Sequence, residues 1–306
     1  VEIEEKAGKR MKSALVLGGT MFFGKRLVDR LLEHGVDVTI ATRGKAKDRF
    51  GDRVKRIIVD REDSNFVREP FKNKSWDVVY DQSCFSPIEA YDICKTLNGK
   101  IGKLIFTSSG AVYDFGEKRT EDEFNPYEYE QGLFKRRTEY KGIFGYQEAK
   151  RQAEAVYATE ADFPVTMVRL PFVVGKDDYT ERLKFHVDAI LDEQPMIIPD
   201  QTKVIDFITS TQTAHFLHWL GEIEFKGPIN GSAVDDITIG NFITMIESIV
   251  GKKAIICKDG DKKVSPFVLP DHYSLRSDRA TNLGFTFDKT DAILQELISH
   301  YAKLHR

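Results

Sequence analysis

Cysteine is scarce in this chain, with three in 306 residues. Cys84, Cys94 and Cys257 are an odd number without paired spacing, which argues against a disulfide scaffold or a zinc site and fits a reducing, cytoplasmic setting. Long apolar runs are also missing. The longest are strand-sized, so no membrane span is expected. Neither sign of charge dominates: 45 Lys and Arg are interspersed with 48 Asp and Glu, and the net charge of −3 sets up no field to recruit nucleic acid or an anionic membrane. Residues 1–10 (VEIEEKAGKR) lack the apolar core of a signal peptide and are expected to form a disordered leader ahead of Met11. There is no internal repeat or low-complexity tract. The length suits one large or two modest domains.

What is present begins at residue 14. Ala14-Leu-Val-Leu17 reads as a buried parallel strand, and it breaks into Gly18-Gly19-Thr20-Met21-Phe22-Phe23-Gly24. The segment 25–34 then puts Leu27, Val28, Leu31 and Leu32 on one helical face and stops at Gly35. A second strand over 36–42 completes a βαβ unit. Glycines at this turn let backbone N–H groups approach a pyrophosphate, and the N-terminus of the helix favours the anion, so the unit predicts nucleotide binding. Further strands are expected over 54–59, 78–80, 104–107 and 165–170, with helices over 87–97 and 147–159 between them. That alternation predicts an α/β fold, a Rossmann-type doubly wound parallel sheet with ligands at the carboxyl ends of its strands. The last third is more mixed, with helical stretches at 180–192, 213–221, 239–250 and 289–304. It reads as a smaller substrate domain. The dinucleotide-binding domain is expected over 11–172 with 203–232 returning to it, and the substrate domain over 173–202 and 233–306.

Tyr146 and Lys150 are four apart at the expected start of a helix, so their side chains share a face. An ammonium near a phenol stabilises phenolate, which suits general acid–base work. Ser109 follows the strand ending near Thr107 and is placed to hydrogen-bond a carbonyl or alkoxide beside that phenol. Taken alone, the Tyr-x-x-x-Lys spacing more often describes a surface helix pair. His215 and His218 share a helical face, but no Glu follows the first as a zinc protease motif requires, so structural roles are expected and no metal.

These residues resemble the extended short-chain dehydrogenase/reductase family, also called the NAD-dependent epimerase/dehydratase family. The likeness runs through Gly18-Gly19-Thr20-x-Phe22-x-Gly24, Ser108-Ser109-Gly110-Ala111-Val112-Tyr113, Tyr146-x-x-x-Lys150, Arg169-Leu170-Pro171-Phe172-Val173-Val174-Gly175, Asp206-Phe207-Ile208 and Leu283-Gly284-Phe285. The resemblance implies a nicotinamide cofactor, with Tyr146 as acid/base and Lys150 and Ser109 in support. Ser109 is preferred to Ser108 because it stands four before Tyr113. The implied cofactor contacts are Gly18, Gly19, Thr20, Met21, Phe22, Phe23, Gly24, Asp60, Tyr146, Lys150, Pro171 and Phe172. Dimers are common in the family, so a homodimer is a possible state.

The departures from the family pattern are informative. Met21 replaces the middle glycine, as in an atypical branch of the family that includes RNA-binding proteins. The acid expected after the second strand is absent; Thr42-Arg43-Gly44-Lys45 stands there, and a guanidinium suits a 2′-phosphate, so NADP is preferred to NAD. Gly110-Ala111 follow Ser109 where family dehydratases carry Asp-Glu, which argues against dehydration. Ile205 replaces an arginine that often holds a nucleotide-sugar diphosphate, which weakens the case for such a substrate. The segment 114–145 reads either as a substrate lid or as a solvated surface excursion. The expectation is an NAD(P)-dependent oxidoreductase or epimerase acting on a hydroxyl or ketone of a sugar-like small molecule. The alternative is a non-catalytic RNA-binding or redox-sensing protein on the same fold.

Overall fold

The computed structural model describes residues 11–63 and 68–305, so the expected leader over 1–10 lies outside the described residues. The first half of the chain forms β1 (Ser13–Leu17), α1 (Phe22–Glu33), β2 (Asp37–Thr42), β3 (Lys55–Ile58), β4 (Trp76–Asp81), α2 (Pro87–Leu97), β5 (Ile101–Thr107), β6 (Gly116–Arg119) and α3 (Gly142–Glu160). There follow β7 (Val165–Arg169), β8 (Phe172–Val174), α4 (Arg182–Leu191), β9 (Met196–Ile197), β10 (Val204–Ile205), β11 (Phe207–Thr209), α5 (Ser210–Glu222) and β12 (Gly227–Asn230). The chain ends with β13 (Ile237–Thr238), α6 (Ile239–Val250), β14 (Ile256–Cys257), β15 (Lys263–Val264), β16 (Tyr273–Leu275), α7 (Asp278–Asn282) and α8 (Thr290–Leu304).

Two compact units emerge. The first takes the residues up to Val112, Phe124–Arg169 and Ala214–Ile229. It is built on a seven-stranded sheet in the order β12-β7-β5-β4-β1-β2-β3, with β1 pairing in parallel to both β2 and β4. The strand order reverses at β1, and crevices at such switch points are where open α/β sheets bind ligands. Residues 14–17 of β1 are buried on both faces, as expected of a central parallel strand, and α1 sends Leu27, Val28 and Leu31 into the core. On the other face, α2 and α3 pack Ile93, Leu97, Ala153, Val156 and Tyr157 against Leu104 and Phe106 of β5.

The second unit takes Tyr113–Glu123, Leu170–Thr213 and Asn230–Arg306. Its core gathers Phe207, Phe242 and Phe267 with α4, α6 and α8, and its short strands form small sheets ordered β13-β10-β16-β6, β11-β8 and β14-β9-β15. The boundaries differ from those expected. The chain crosses after Arg169 rather than 172, and segments 113–123 and 203–213 belong to the second unit because β6 pairs with β16, β10 with β13 and β16, and β11 with β8. Strands of two to four residues carry too little alternation to be assigned from pattern alone. Two helices also start earlier than expected. α1 begins at Phe22, and α3 at Gly142, which puts Tyr146 inside a helix rather than at its start. No helix among the described residues is long and apolar enough to cross a membrane.

Asp206 lies fully buried in the second unit. Its Oδ2 accepts from Ser232 Oγ (2.6 Å) and the Leu275 N–H (2.7 Å), while Oδ1 has no hydrogen-bond partner. Burial pushes its carboxyl from 3.8 up to about 8, with Asp236 adding to the rise and the two donors opposing it. A carboxyl raised in this way contributes stability below its unfolded value and loses it as the pH climbs toward the folded one. Asp206→Asn, which removes the charge, is therefore expected to gain on the wild type by roughly 1 kcal/mol per pH unit between 3.8 and about 8 in urea unfolding. A stability difference independent of pH would contradict this.

Candidate active site

The glycine loop joins β1 to α1. Gly18 and Gly19 have φ of +102° and +85°, and a Cβ on Gly19 would come 2.8 Å from Val16 Cγ1 and 3.0 Å from Val28 Cγ2, so only glycine lets helix and strand approach this closely. A Cβ on Gly24 would displace the Gln82 side-chain amide and press the Gly19 Cα at 3.1 Å. Phe22 sits in the left-handed region at φ 48°, a conformation that costs a non-glycine residue about 1–2 kcal/mol. Met21 takes the N-cap position in an extended conformation with its side chain half exposed, and neither a side-chain cap nor an acid serves the first turn of α1. The N-cap residue thus supplies no side-chain acceptor to the first turn of α1, and a helix start is where a fold favours an anion. Thr20 and Phe23 complete the loop, and the Phe23 ring lies 5.5 Å from that of Phe22.

Beside this loop runs the turn after β4. Asp81, the last residue of β4, is inaccessible to solvent. Its Oδ1 accepts from Arg61 Nη1 and from the N–H groups of Ser83 (3.2 Å) and Cys84 (3.1 Å), and its Oδ2 accepts from Arg61 Nη2 (2.9 Å) and Tyr157 Oη. Gln82 and Ser83 stand against the glycine loop, their Cβ atoms 3.8 and 3.7 Å from where a Gly18 Cβ would be. The next two residues of the turn meet α3. Lys150 Nζ donates to the Cys84 carbonyl (2.7 Å) and the Thr107 carbonyl (3.1 Å), and the ring of Tyr146 packs 5.4 Å from that of Phe85.

At the end of β5 the two serines separate in role. Ser108 Oγ donates to Glu154 Oε1 (2.6 Å), and Glu154 is paired with the fully buried Arg169 through Nη2 (2.6 Å) and Nε (3.1 Å). Ser109 Oγ accepts the Ala111 N–H at 3.2 Å and takes no part in the Glu154–Arg169 pair. Ser108 is thus committed to a buried ion pair, and Ser109 is not.

The remaining expected residues are placed as follows. Arg43 directly follows β2, half exposed, 3.7 Å from Glu62, and Asp60 Oδ1 accepts the Glu62 N–H (3.0 Å) in a tight turn. Pro171 and Phe172 belong to the second unit, where the Phe172 ring packs 4.9 Å from that of Phe267 and 5.4 Å from that of Tyr273. His218 is buried beside His34, with ring centroids 4.4 Å apart, and burial holds it down at about 4. Among the described residues no three His, Cys, Asp or Glu side chains are grouped to hold a metal. Within the 114–145 segment, the part over 124–141 forms a strap on α2 and α3. Tyr129 Oη donates to Glu148 Oε2 (2.7 Å), the Gly132 N–H to Gln152 Oε1 (3.0 Å) and Arg137 to Glu89 (2.7 Å).

The residues present fit a dinucleotide. The uncapped helix start and the glycine cradle suit a pyrophosphate, and two buried polar atoms at the adjoining strand ends, Gln82 Nε2 and Thr107 Oγ1, have no hydrogen-bond partner. Gln82, Cys84 and Phe85 were not singled out from the sequence. Their position one to four residues past a strand end was the available signal.

A profile for the NAD dependent epimerase/dehydratase family matches residues 14–230. Among curated proteins, the chain is 32% identical over 115 residues to the chloroplast stem-loop binding protein of 41 kDa b from Arabidopsis thaliana, a match covering 33% of this chain and 30% of that protein. The chain thus covers less than a third of that relative's length. Among solved structures, UDP-glucose 4-epimerase from Thermotoga maritima with UDP-glucose aligns with a TM-score of 0.71 at 17% identity, over 96% of this chain and 100% of that one. UDP-glucuronic acid 4-epimerase from Bacillus cereus in complex with NAD gives the same values. At such identity the likeness shows the fold.

The division of labour between the serines is testable by denaturant unfolding. Ser108→Ala is expected to cost about 1–3 kcal/mol by leaving buried Glu154 short of a donor, and Ser109→Ala about 1 kcal/mol or less. Equal losses, or the reverse order, would contradict the assignment.

Proposed function

The chain belongs to the NAD dependent epimerase/dehydratase family, and on that premise we propose that it is a nicotinamide-dependent oxidoreductase or epimerase. It acts on a hydroxyl or ketone of a sugar-like small molecule, with the dinucleotide held by the first unit and substrate recognised by the second. The observation that carries this reading is the single turn over 82–85, which faces the glycine loop and holds both Lys150 and Tyr146.

When bound, the nicotinamide supplies the hydride acceptor or donor. Tyr146 takes the proton from the substrate oxygen as the carbonyl forms and returns it in the opposite direction. Lys150 gives two of its N–H bonds to the Cys84 and Thr107 carbonyls, which leaves a third to donate to a ribose hydroxyl of the dinucleotide or to the phenol. Ser109 donates to the same substrate oxygen and orients it. Dehydration is disfavoured because Gly110-Ala111 leave no second acid and base beside Ser109. Epimerase and reductase use the same set and differ in whether the dinucleotide is restored in place.

Arg43 favours NADP. Its pair with Glu62 is long and half exposed, so giving it up for a 2′-phosphate costs about 1 kcal/mol or less. A second reading, stem-loop RNA binding without turnover, is favoured by the match to the chloroplast protein. The net charge of −3 weighs against it.

Two substitutions test the proposal. With a panel of sugars and nucleotide sugars and either dinucleotide, Tyr146→Phe is expected to lower turnover about 100-fold or more while leaving dinucleotide binding intact; full turnover would overturn the assignment. In calorimetric titrations the wild type is expected to bind NADP more tightly than NAD, and Arg43→Ala to erase the preference. Equal affinities in the wild type would overturn the role of Arg43.

A further inference from the structure

We propose that Asp81 and Arg61 are positioning residues, whose ion pair fixes the 82–85 turn and through it sets Lys150 and Tyr146 against the glycine loop. The inference rests on the reading of that loop and of Tyr146 and Lys150 as a dinucleotide site.

The turn has almost no freedom left in its amides. The Gln82 N–H donates to the Leu17 carbonyl of β1 (3.2 Å), those of Ser83 and Cys84 end on Asp81 Oδ1, and that of Phe85 ends on Glu89 Oε2 (3.1 Å). Both carboxylates are themselves held. Arg61 forks onto Asp81 and reaches past it to Ser83 Oγ (3.0 Å) and the Glu89 carbonyl (3.1 Å), while Arg137 places Nε (2.9 Å) and Nη2 (2.7 Å) on Glu89. Tyr157, two turns beyond Lys150 on α3, closes the cage on Asp81 Oδ2. With the amides spent on carboxylates, the Cys84 carbonyl is turned to Lys150.

An apolar pair would fill this space at no loss of stability, since buried ion pairs are seldom net stabilisers. It would not orient two consecutive amides. The carboxylate does, because each of its oxygens accepts several donors in fixed directions. The charge at the end of β4 is thus explained by what it does to the turn.

The test is Asp81→Asn in the full chain, with two readouts. The first is reductive methylation of lysines followed by mass spectrometry, comparing Lys150 with Lys103. Lys103 is an internal control in the same unit, its Nζ held by the Leu220 (2.9 Å) and Ile223 carbonyls. The second is calorimetric titration with NAD. The expected result is Lys150 reacting about fivefold faster with Lys103 unchanged, and NAD binding weakened about tenfold. Labelling of both lysines rising together would mark general loosening and overturn the proposal. So would unchanged Lys150 labelling, whatever happens to NAD. Arg61→Lys, which keeps the charge but loses the fork, is expected to move Lys150 in the same direction and decides the matter if Asp81→Asn does not fold. Wild type that binds no NAD would instead defeat the reading of the site, while the labelling ratio would still judge the positioning role.

Discussion

A carboxylate without access to water organises the candidate site. Asp81 ends the strand beside β1 in the sheet, and burial there is tolerated only if both oxygens find donors. The donors come from three directions: the guanidinium of Arg61 shortly after β3, the phenol of Tyr157 on α3, and the two amides that follow β4. Satisfying one charge thereby ties together the carboxyl ends of two strands, a helix and a turn. The turn so fixed is the piece of the first unit that meets the glycine loop, Lys150 and Tyr146.

A second buried pair works beside it. Glu154 and Arg169 are both fully shielded, and Ser108 and the Phe124 carbonyl complete their hydrogen bonds. Removing either partner would strand a charge, at a typical cost of about 3–5 kcal/mol. The chemical consequence is selection. Of two adjacent serines after β5, one is consumed by the ion pair and the other takes no part in it. Between them the two pairs take up Ser108, Tyr157 and the amides of Ser83 and Cys84 as structural groups at the strand ends.

Much of this was legible in the sequence, for reasons that also mark the limits. The apolar run over 14–17, the glycines after it and the helical spacing of Leu27, Val28 and Leu31 are local signals, and β1 and β2 form where they direct while α1 starts three residues earlier. The spacing of Tyr146 and Lys150 is local too, and both lie on α3. The Asp81–Arg61–Tyr157 cage is not local. Its members are 20 and 76 residues apart, and only the order of strands in the sheet brings them together. The strap over 124–141 was equally opaque: read as lid or excursion, it is held on α3 by Tyr129, Gly132 and Gln152, pairings that no periodicity announces. The crossing at 113–123 depends on the four-residue β6, whose partner β16 comes more than 150 residues later.

The proposed function places one site at the switch point of the first unit, where the glycine loop, the 82–85 turn, Lys150 and Tyr146 would hold a dinucleotide. The most direct measurement is a crystal structure of the protein with NAD bound. The account predicts the pyrophosphate against the backbone of Gly18 to Gly24, with Lys150 still on the Cys84 carbonyl. A dinucleotide bound elsewhere, or a turn over 82–85 rebuilt with Lys150 released from Cys84, would contradict it.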